Sequence, residues 1–288
     1  TPIPSIRLRA QWLIPVGLAL LAIVLFASTF NFELMHSWDD NRYLKENYLL
    51  RNGSLGGIVD VFTQVYFAAY IPTTIFSYWL EYRLWGLDPV GYHVVNVLLH
   101  ALNSALVYIF LYRLLRKQWV ALFAALLFVL HPVQVESVAW IAERKNLLAM
   151  LFTLLAFLAH MRSAEADAPK WALPAGWLCF LLAAFAKPVV VGAPLLFVMY
   201  DYFWVKMPLR RVVLRNAVYG AIGVASAASI LLAHQAGGGT VEAGMVLAIE
   251  PGVYWPEGGG LRVEDNFLIT ESGAERLCRF PDGIVRCE

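Results

Sequence analysis

Residues Trp12 to Phe30, WLIPVGLALLAIVLFASTF, contain no ionisable side chain and follow Arg7 and Arg9. A hydrocarbon layer about 30 Å thick requires roughly 20 apolar residues of helix to cross it, and this run meets that requirement. It is long for the apolar core of a secretory leader, and no small-x-small cleavage site follows it, so it reads as a retained first span. The rest of the chain agrees: 60% of its 288 residues are hydrophobic, 15% are charged, and the mean hydropathy is +0.62. Those values are too apolar for a domain solvated by water on every side.

Further apolar runs lie at His93–Leu115, Trp119–Leu130, Leu147–Met161, Trp171–Ala186, Val189–Trp204 and Ala217–Ala233. The expected fold class is therefore an all-α polytopic membrane protein of about seven spans with a short β-rich C-terminal tail. If the helices alternate in direction, Arg7 and Arg9 share a side with Arg113, Arg116, Lys117, Arg162, Lys170, Lys206, Arg210, Arg211 and Arg215. The positive-inside rule makes that side cytoplasmic, with the N-terminus, and the C-terminal tail extracytoplasmic, as in a bacterial inner membrane or its equivalent. A net charge of +1, spread in short basic clusters, gives no footprint for nucleic acid.

Two domains are expected. Residues 1–240 form the membrane domain, with a large external loop at 31–92; the stretch Val65–Trp85 in that loop, interrupted by Pro72, Glu81 and Arg83, suits an interfacial helix. At HQAGGGT, His234–Thr240, the hydrophobic pattern ends, and residues 241–288 read as strands and turns. Of the three cysteines, Cys179 falls in a span and reads as packing. Cys278 and Cys287 lie in the tail, where an exported location permits a disulfide between them.

Helix parity also gathers one set of ionisable groups on the external side: Asp39 and Asp40 in HSWDDNRY, His131 and Glu136 in HPVQVES, Glu143, Arg144 and Lys145 in ERKN, and Lys187 in AKPVV. Charged groups at membrane depth or at its rim tend to face a cavity or polar path, which makes the set a site candidate. The bland reading of each is also available: His131 before Pro132 as a helix stop, Lys187 as a terminal lysine reaching the headgroups, and the loop charges as solvated residues.

The strings WDDNRYLKEN, GLDPVGYHVVNVLLHALNSALVY, LLFVLHPVQVESVAWIAERKNLLAMLF and KPVVVGAPLLFVMYDYFW, in that order, resemble the membrane half of the transmembrane and tetratricopeptide-repeat O-mannosyltransferase-like proteins, within the GT-C glycosyltransferase superfamily. The resemblance runs from about Arg7 to Thr240. It implies transfer of a mannose-like sugar from a polyprenyl-phosphate donor to a protein or glycan hydroxyl at the extracytoplasmic face, with the lipid bilayer as the constant partner. A weakly nucleophilic hydroxyl needs a carboxylate base, and a departing lipid phosphate needs cations. Asp39 or Asp40 supplies the base under this reading, with a divalent metal ion as a candidate cofactor. Arg144, Lys145 and Lys187 hold the phosphate, and His131 and Glu136 orient the reacting groups.

That family continues into further spans and a repeat array, which do not follow Thr240, so a truncated and inactive remnant is one alternative. The tail VEAGMVLAIEPGVYWPEGGGLRVEDNFLITESGAERL resembles the pita-bread metallopeptidases, such as Xaa-Pro aminopeptidase, and that resemblance makes Glu250 and Glu264 metal ligands. Their dinuclear centre needs two further aspartates and a histidine from upstream strands. The sequence before Val241 is membrane helix without those motifs, so an aminopeptidase reading is set aside and the pairing reads as a chimeric join. A transporter or a structural membrane protein remains the other alternative; the spans carry few interior polar residues for a permeation path, chiefly Asn96, His100, Asn103 and Asp201.

Overall fold

The computed structural model describes residues 5–35, 39–67 and 69–236, and beyond them the strand residues 246–249, 252–255, 259–262, 265–270 and 273–276. The chain divides into two units, Thr1–Ala236 and Gly237–Glu288.

The first unit is helical. Helix α1 spans Ser5–Phe26 and ends in a 3-10 turn, Ala27–Asn31; α2 (Leu55–Thr63) and α3 (Pro72–Trp85) follow in the segment before α4 (Pro89–Leu115). Local chemistry sets the ends of α4. Asp88 accepts the Val90 N–H at 3.0 Å and Pro89 occupies the first turn, where its missing N–H has no partner to lose. At the other end Arg116 takes the left-handed conformation, φ 56°, and returns its N–H to the Tyr112 carbonyl. Helices α5 (Gln118–Leu130), α6 (Gln134–Ala139) and α7 (Arg144–Arg162) come next. After them are α8 (Ala172–Ala186), α9 (Ala193–Met199) and α10 (Leu209–Ala236).

Three of these helical stretches are long and apolar enough to cross a membrane: Trp12–Asn31, Pro89–Leu115 and Leu209–Ala233, with mean hydropathies of 2.4, 1.9 and 1.6. The chain is an integral, multi-pass membrane protein. The expected count of about seven spans is corrected by helix length: Gln118–Leu130, at 13 residues, reaches only about 20 Å at 1.5 Å per residue, short of a hydrocarbon core of about 30 Å. Val189–Trp204 is broken into a 3-10 turn at Pro188–Gly192, the short α9 and a π turn at Tyr200–Trp204. The prolines at 188 and 194 deny that stretch a continuous hydrogen-bond ladder.

Helices α1, α4, α5 and α7 share one core around Leu18, Ala22, Ala101, Val107, Ala121, Ala125 and Leu154. Helices α7 to α10 share another around Phe157, Phe180, Phe197 and Tyr219. Gly176 lets α8 close on its neighbours, because a Cβ there would collide with the Tyr219 hydroxyl. The loop expected at 31–92 has a core of its own, in which Tyr43, Leu44, Leu50, Val61, Ile75, Tyr78 and Tyr92 are buried. Helix α3, expected as an interfacial helix, buries Ile75, Tyr78, Trp79 and Glu81 in that core, where Glu81 pairs with Arg144.

The described part of the second unit consists of β1 (Val246–Ile249), β2 (Gly252–Trp255), β3 (Gly259–Arg262), β4 (Asp265–Thr270) and β5 (Gly273–Arg276). They pair antiparallel as β1-β4-β5 and, separately, β2-β3. The expectation of a β-rich tail cut from a pita-bread fold is corrected here: a pita-bread body is an α/β construction, and among the described residues of this unit no helix backs the two short ladders. The helical unit is all-α and membrane-embedded, and the described residues of the second unit form only these two short ladders.

Candidate functional site

The segment after α1 resumes at Asp39 in a helical turn that widens into a π turn at Asn41–Lys45, which turns Tyr43 and Leu44 inward. Asp40 is buried to 1% exposure. Its Oδ1 accepts the Ala142 N–H at 2.8 Å and its Oδ2 the Met35 N–H at 3.2 Å, so one carboxylate pins the link between α6 and α7 to the segment that leaves α1. Burial pushes the Asp40 carboxyl above its ordinary 3.8, against the pull of those two N–H donors, and the neighbouring charge of Asp39 adds to the rise. Asp39 itself stays half-exposed.

Arg144 opens α7 and is completely buried. Its Nε donates to Asn96 Oδ1 at 2.7 Å, Nη1 to Glu81 Oε1 at 2.5 Å and Nη2 to the Tyr92 carbonyl at 2.8 Å. Its guanidinium also lies over the Tyr78 ring, 4.8 Å from the centroid. Burial raises the Glu81 carboxyl, and the charge and hydrogen bond of Arg144 draw it back. The Tyr78 hydroxyl donates to the Ile141 carbonyl at 2.7 Å, and Asn96 Nδ2 to Val138 O at 3.2 Å. This knot therefore fixes α3, α4 and the start of α7 to one another.

One residue on, the surroundings open. Lys145 Nζ lies 2.8 Å from Glu143 Oε1 and over the Tyr43 ring, 5.5 Å from its centroid. Lys187, at the end of α8, places its Nζ 2.6 Å from Asn146 Oδ1 and 3.5 Å from Glu143 Oε2. Asn146 Nδ2 in turn donates to Glu143 Oε2 at 2.6 Å and to Ser137 Oγ at 3.2 Å. Glu143 thus stands between two ammonium groups, one at each oxygen. Burial pushes the Tyr43 hydroxyl up to about 12, with the charges of Asp39 and Glu143 adding to the rise.

Of the residues expected at the site, Asp39, Asp40, Lys145 and Lys187 come into this neighbourhood, and Arg144 lies sealed behind it. His131 and Glu136 are exposed and no contact joins them to it; His131 Nδ1 accepts the Val133 N–H at 3.2 Å, a local turn. Glu250, Glu264, Cys278 and Cys287 lie outside the described residues. Sequence reasoning placed Glu143 in the external set without a role of its own and assigned none to Asn146 or Glu81. The available signal for the first two was an acid and an amide flanking two cations at the start of a helix, ERKN.

A metal does not fit the described donors. Among the described residues no group of three or more His, Cys, Asp or Glu could hold one. Both Asp40 oxygens accept backbone N–H groups, and both Glu143 oxygens face lysine or asparagine.

A second ionic cluster closes the opposite end of the bundle. His160 Nε2 lies 3.0 Å from Asp201 Oδ1, while Arg215 Nε and Asn216 Nδ2 donate to Asp201 Oδ2 at 3.0 and 2.9 Å. Arg215 also donates to the Ser163 hydroxyl at 3.0 Å. It ties α7, the π turn and α10 together.

Known proteins resemble the chain as follows. It is 33% identical over 157 residues to protein O-mannosyl-transferase Tmtc1 of Drosophila melanogaster, covering 51% of this chain and 18% of that protein. Its likeness to protein O-mannosyl-transferase Tmtc2 of the same fly is 36% over 136 residues, 45% of this chain and 14% of the relative. To mouse protein O-mannosyl-transferase TMTC1 it is 40% over 98 residues, 34% and 10%.

The chain is similar to the protein O-mannosyl-transferases.

It spans less than a fifth of the length of these relatives. A family model, metallopeptidase family M24, matches residues 199–271, about a quarter of the chain. That match takes in residues of both units: 209–236 lie in α10 and 246–270 take in β1 to β4. No solved structure matches the chain.

Proposed function

We propose that the chain is membrane-embedded machinery of a GT-C-type glycosyltransferase, which moves a mannose-like sugar from a polyprenyl-phosphate donor to a protein or glycan hydroxyl. What supports this reading is the half-exposed pair of lysines held at one carboxylate, next to an acidic pair, in a chain similar to the O-mannosyl-transferases. Lys145 and Lys187 take the donor phosphate, exchanging part of their contact with Glu143 for it. Asp39 accepts the hydroxyl proton of the acceptor as its oxygen bonds to the sugar carbon. The bond from that carbon to phosphate breaks, and the charge left on the lipid phosphate is held by the two lysines. Asp40, with both oxygens committed to backbone N–H groups, positions the loop rather than reacting. Arg144 positions the start of α7. We infer that this end of the bundle is extracytoplasmic and the N-terminus cytoplasmic, because Arg113, Arg116 and Lys117 gather at the other end of the long helix α4.

The test is binding and transfer by the detergent-purified chain. A polyprenyl phosphate is expected to bind at least about tenfold more tightly than the uncharged polyprenol, and Lys145→Gln with Lys187→Gln is expected to erase the difference. Asp39→Asn is expected to leave binding intact and lower transfer by about a hundredfold or more, the usual scale of a lost general base. Equal binding of the two lipids would sink the phosphate role, and unchanged transfer by the Asp39 variant would sink the base.

A further inference from the structure

We propose that the groove between α1 and α4, at the end of α4 away from the site above, is a binding site for an anionic phospholipid. Its acyl chain lies on the apolar floor and its phosphate sits between Arg113 and Arg116. Arg113 follows Asn96, a partner of Arg144, by 17 positions, which is about 25 Å along a helix. The site is therefore separate from the lysine cluster.

Two adjoining depressions build it, of about 460 and 480 Å3, sharing Trp12, Pro15, Ile109 and Arg113. The first is floored by Val16, Ala19, Leu102, Ala105 and Leu106, small and aliphatic side chains that leave room for a hydrocarbon chain. The second adds Tyr108, Tyr112, Arg116 and Gln118, so the groove runs from an apolar floor to a cationic mouth. Trp12 and Tyr112 are exposed beside that mouth, and such amphipathic rings settle at headgroup level.

Charge identifies the occupant. Arg113 and Arg116 are exposed and neither forms a salt bridge with a described residue, whereas Arg162 pairs with Glu165 and Asp167, and Arg215 with Asp201. No aspartate or glutamate occurs between Asp88 and Glu136, so α4 and α5 bring no acid to this pair. A lipid phosphate supplies the missing charge, and basic pockets between membrane helices on the cytoplasmic side recognise anionic headgroups in this way. Arg113, Arg116 and Lys117 gather at this end of a membrane-length helix, and the positive-inside rule assigns such a cluster to the cytoplasmic leaflet. A free phosphate lacks the chain that would fill the floor, and a phosphatidylcholine brings a cation to two arginines.

Native mass spectrometry of the detergent-purified chain tests this with phosphatidylglycerol, phosphatidylcholine of the same acyl chains, and glycerol phosphate. The parent is expected to retain phosphatidylglycerol about tenfold more strongly than phosphatidylcholine, the scale of two arginines near a membrane surface. Arg113→Gln with Arg116→Gln is expected to remove the preference, and Ala105→Phe to weaken retention of both lipids by filling the floor. Arg210→Gln with Arg211→Gln, which removes two exposed arginines elsewhere, is expected to leave the preference intact. Thermal unfolding of each variant shows that it is folded. Equal retention of the two lipids by the parent would overturn the proposal. So would an equal loss in the Arg210 and Arg211 variant, or full competition by glycerol phosphate.

Discussion

Arg144 and Lys145 are adjacent cations at the start of one helix, and the fold treats them in opposite ways. Arg144 is removed from solvent completely and every nitrogen of its guanidinium has a partner on α3 or α4. Lys145 keeps 15% of its side chain exposed and Lys187 keeps 30%, and both lean on the same glutamate. A helix turns about 100° per residue, so neighbours face different surroundings. A cation whose hydrogen bonds are all spent inside the protein has nothing to offer a ligand and much to lose if a partner goes. A half-exposed lysine sharing a carboxylate with another lysine can give up part of that contact at small cost. The difference separates what holds the site from what can act in it.

The largest effect expected from breaking this contrast falls on the sealed side. Arg144→Met leaves Glu81 buried without its cation, and removing one member of a buried pair costs about 3–5 kcal/mol. Arg144→Lys is expected to recover little of the loss, because an ammonium cannot reach Asn96, Glu81 and the Tyr92 carbonyl from one planar fork. Thermal unfolding in detergent measures both, and an unfolding temperature within a degree or two of the parent would show that the knot carries no stability.

On the open side the effects should invert. Lys187→Gln is expected to change stability by less than about 1 kcal/mol, the range of partly exposed ion pairs, while weakening polyprenyl-phosphate binding about tenfold. A variant that lost stability without losing lipid affinity would place Lys187 with Arg144 as a structural group.

Asp40 sharpens the comparison through pH. Its folded-state pKa lies above its ordinary 3.8, so the folded chain holds a proton that the unfolded chain has released in the window just above that value. The contribution of this group to stability is full below 3.8 and is lost as pH rises through the folded pKa. Asp40→Asn removes that dependence, so its unfolding temperature should fall less than the parent's as pH is raised from below 3.8. The substitution also puts an amide where two N–H donors need an acceptor, costing about 1–3 kcal/mol at pH values where the parent carboxylate is charged. Parallel pH profiles for parent and variant would contradict the assignment of the rise to Asp40.

The sequence revealed the membrane character and the helix positions, because each follows from local pattern. Hydrophobic run length, proline and capping residues act within a few positions. The span count went astray because an apolar run as short as Trp119–Leu130 is equally consistent with a crossing helix and with a short buried one. Alternation of seven spans had grouped the charges, whereas tertiary contacts group them in the structure: Asp40 meets Ala142 across about a hundred residues and Lys187 meets Asn146 across about forty. The sealed fate of Arg144 was not legible, since its partners Glu81, Tyr92 and Asn96 come from two other helices and no local spacing links them. The same holds for Asp201, which read as a lone polar residue in a span and is joined to His160 and Arg215 from helices on either side of it in the sequence.

The smallest expected effects concern the two residues that the fold leaves out. His131 sits on the exposed turn after α5 and Glu136 is exposed within α6, with no contact among the described residues to Asp39, Glu143 or either lysine. His131→Ala and Glu136→Gln are each expected to alter stability by no more than about 0.5 kcal/mol, as exposed substitutions usually do. Polyprenyl-phosphate binding should stay within about twofold of the parent, a difference well under 1 kcal/mol. A loss of affinity comparable to that of Lys187→Gln would mean that the connection between α5 and α6 folds over the lipid when it binds, which would extend the open side of the site beyond the cluster at Glu143.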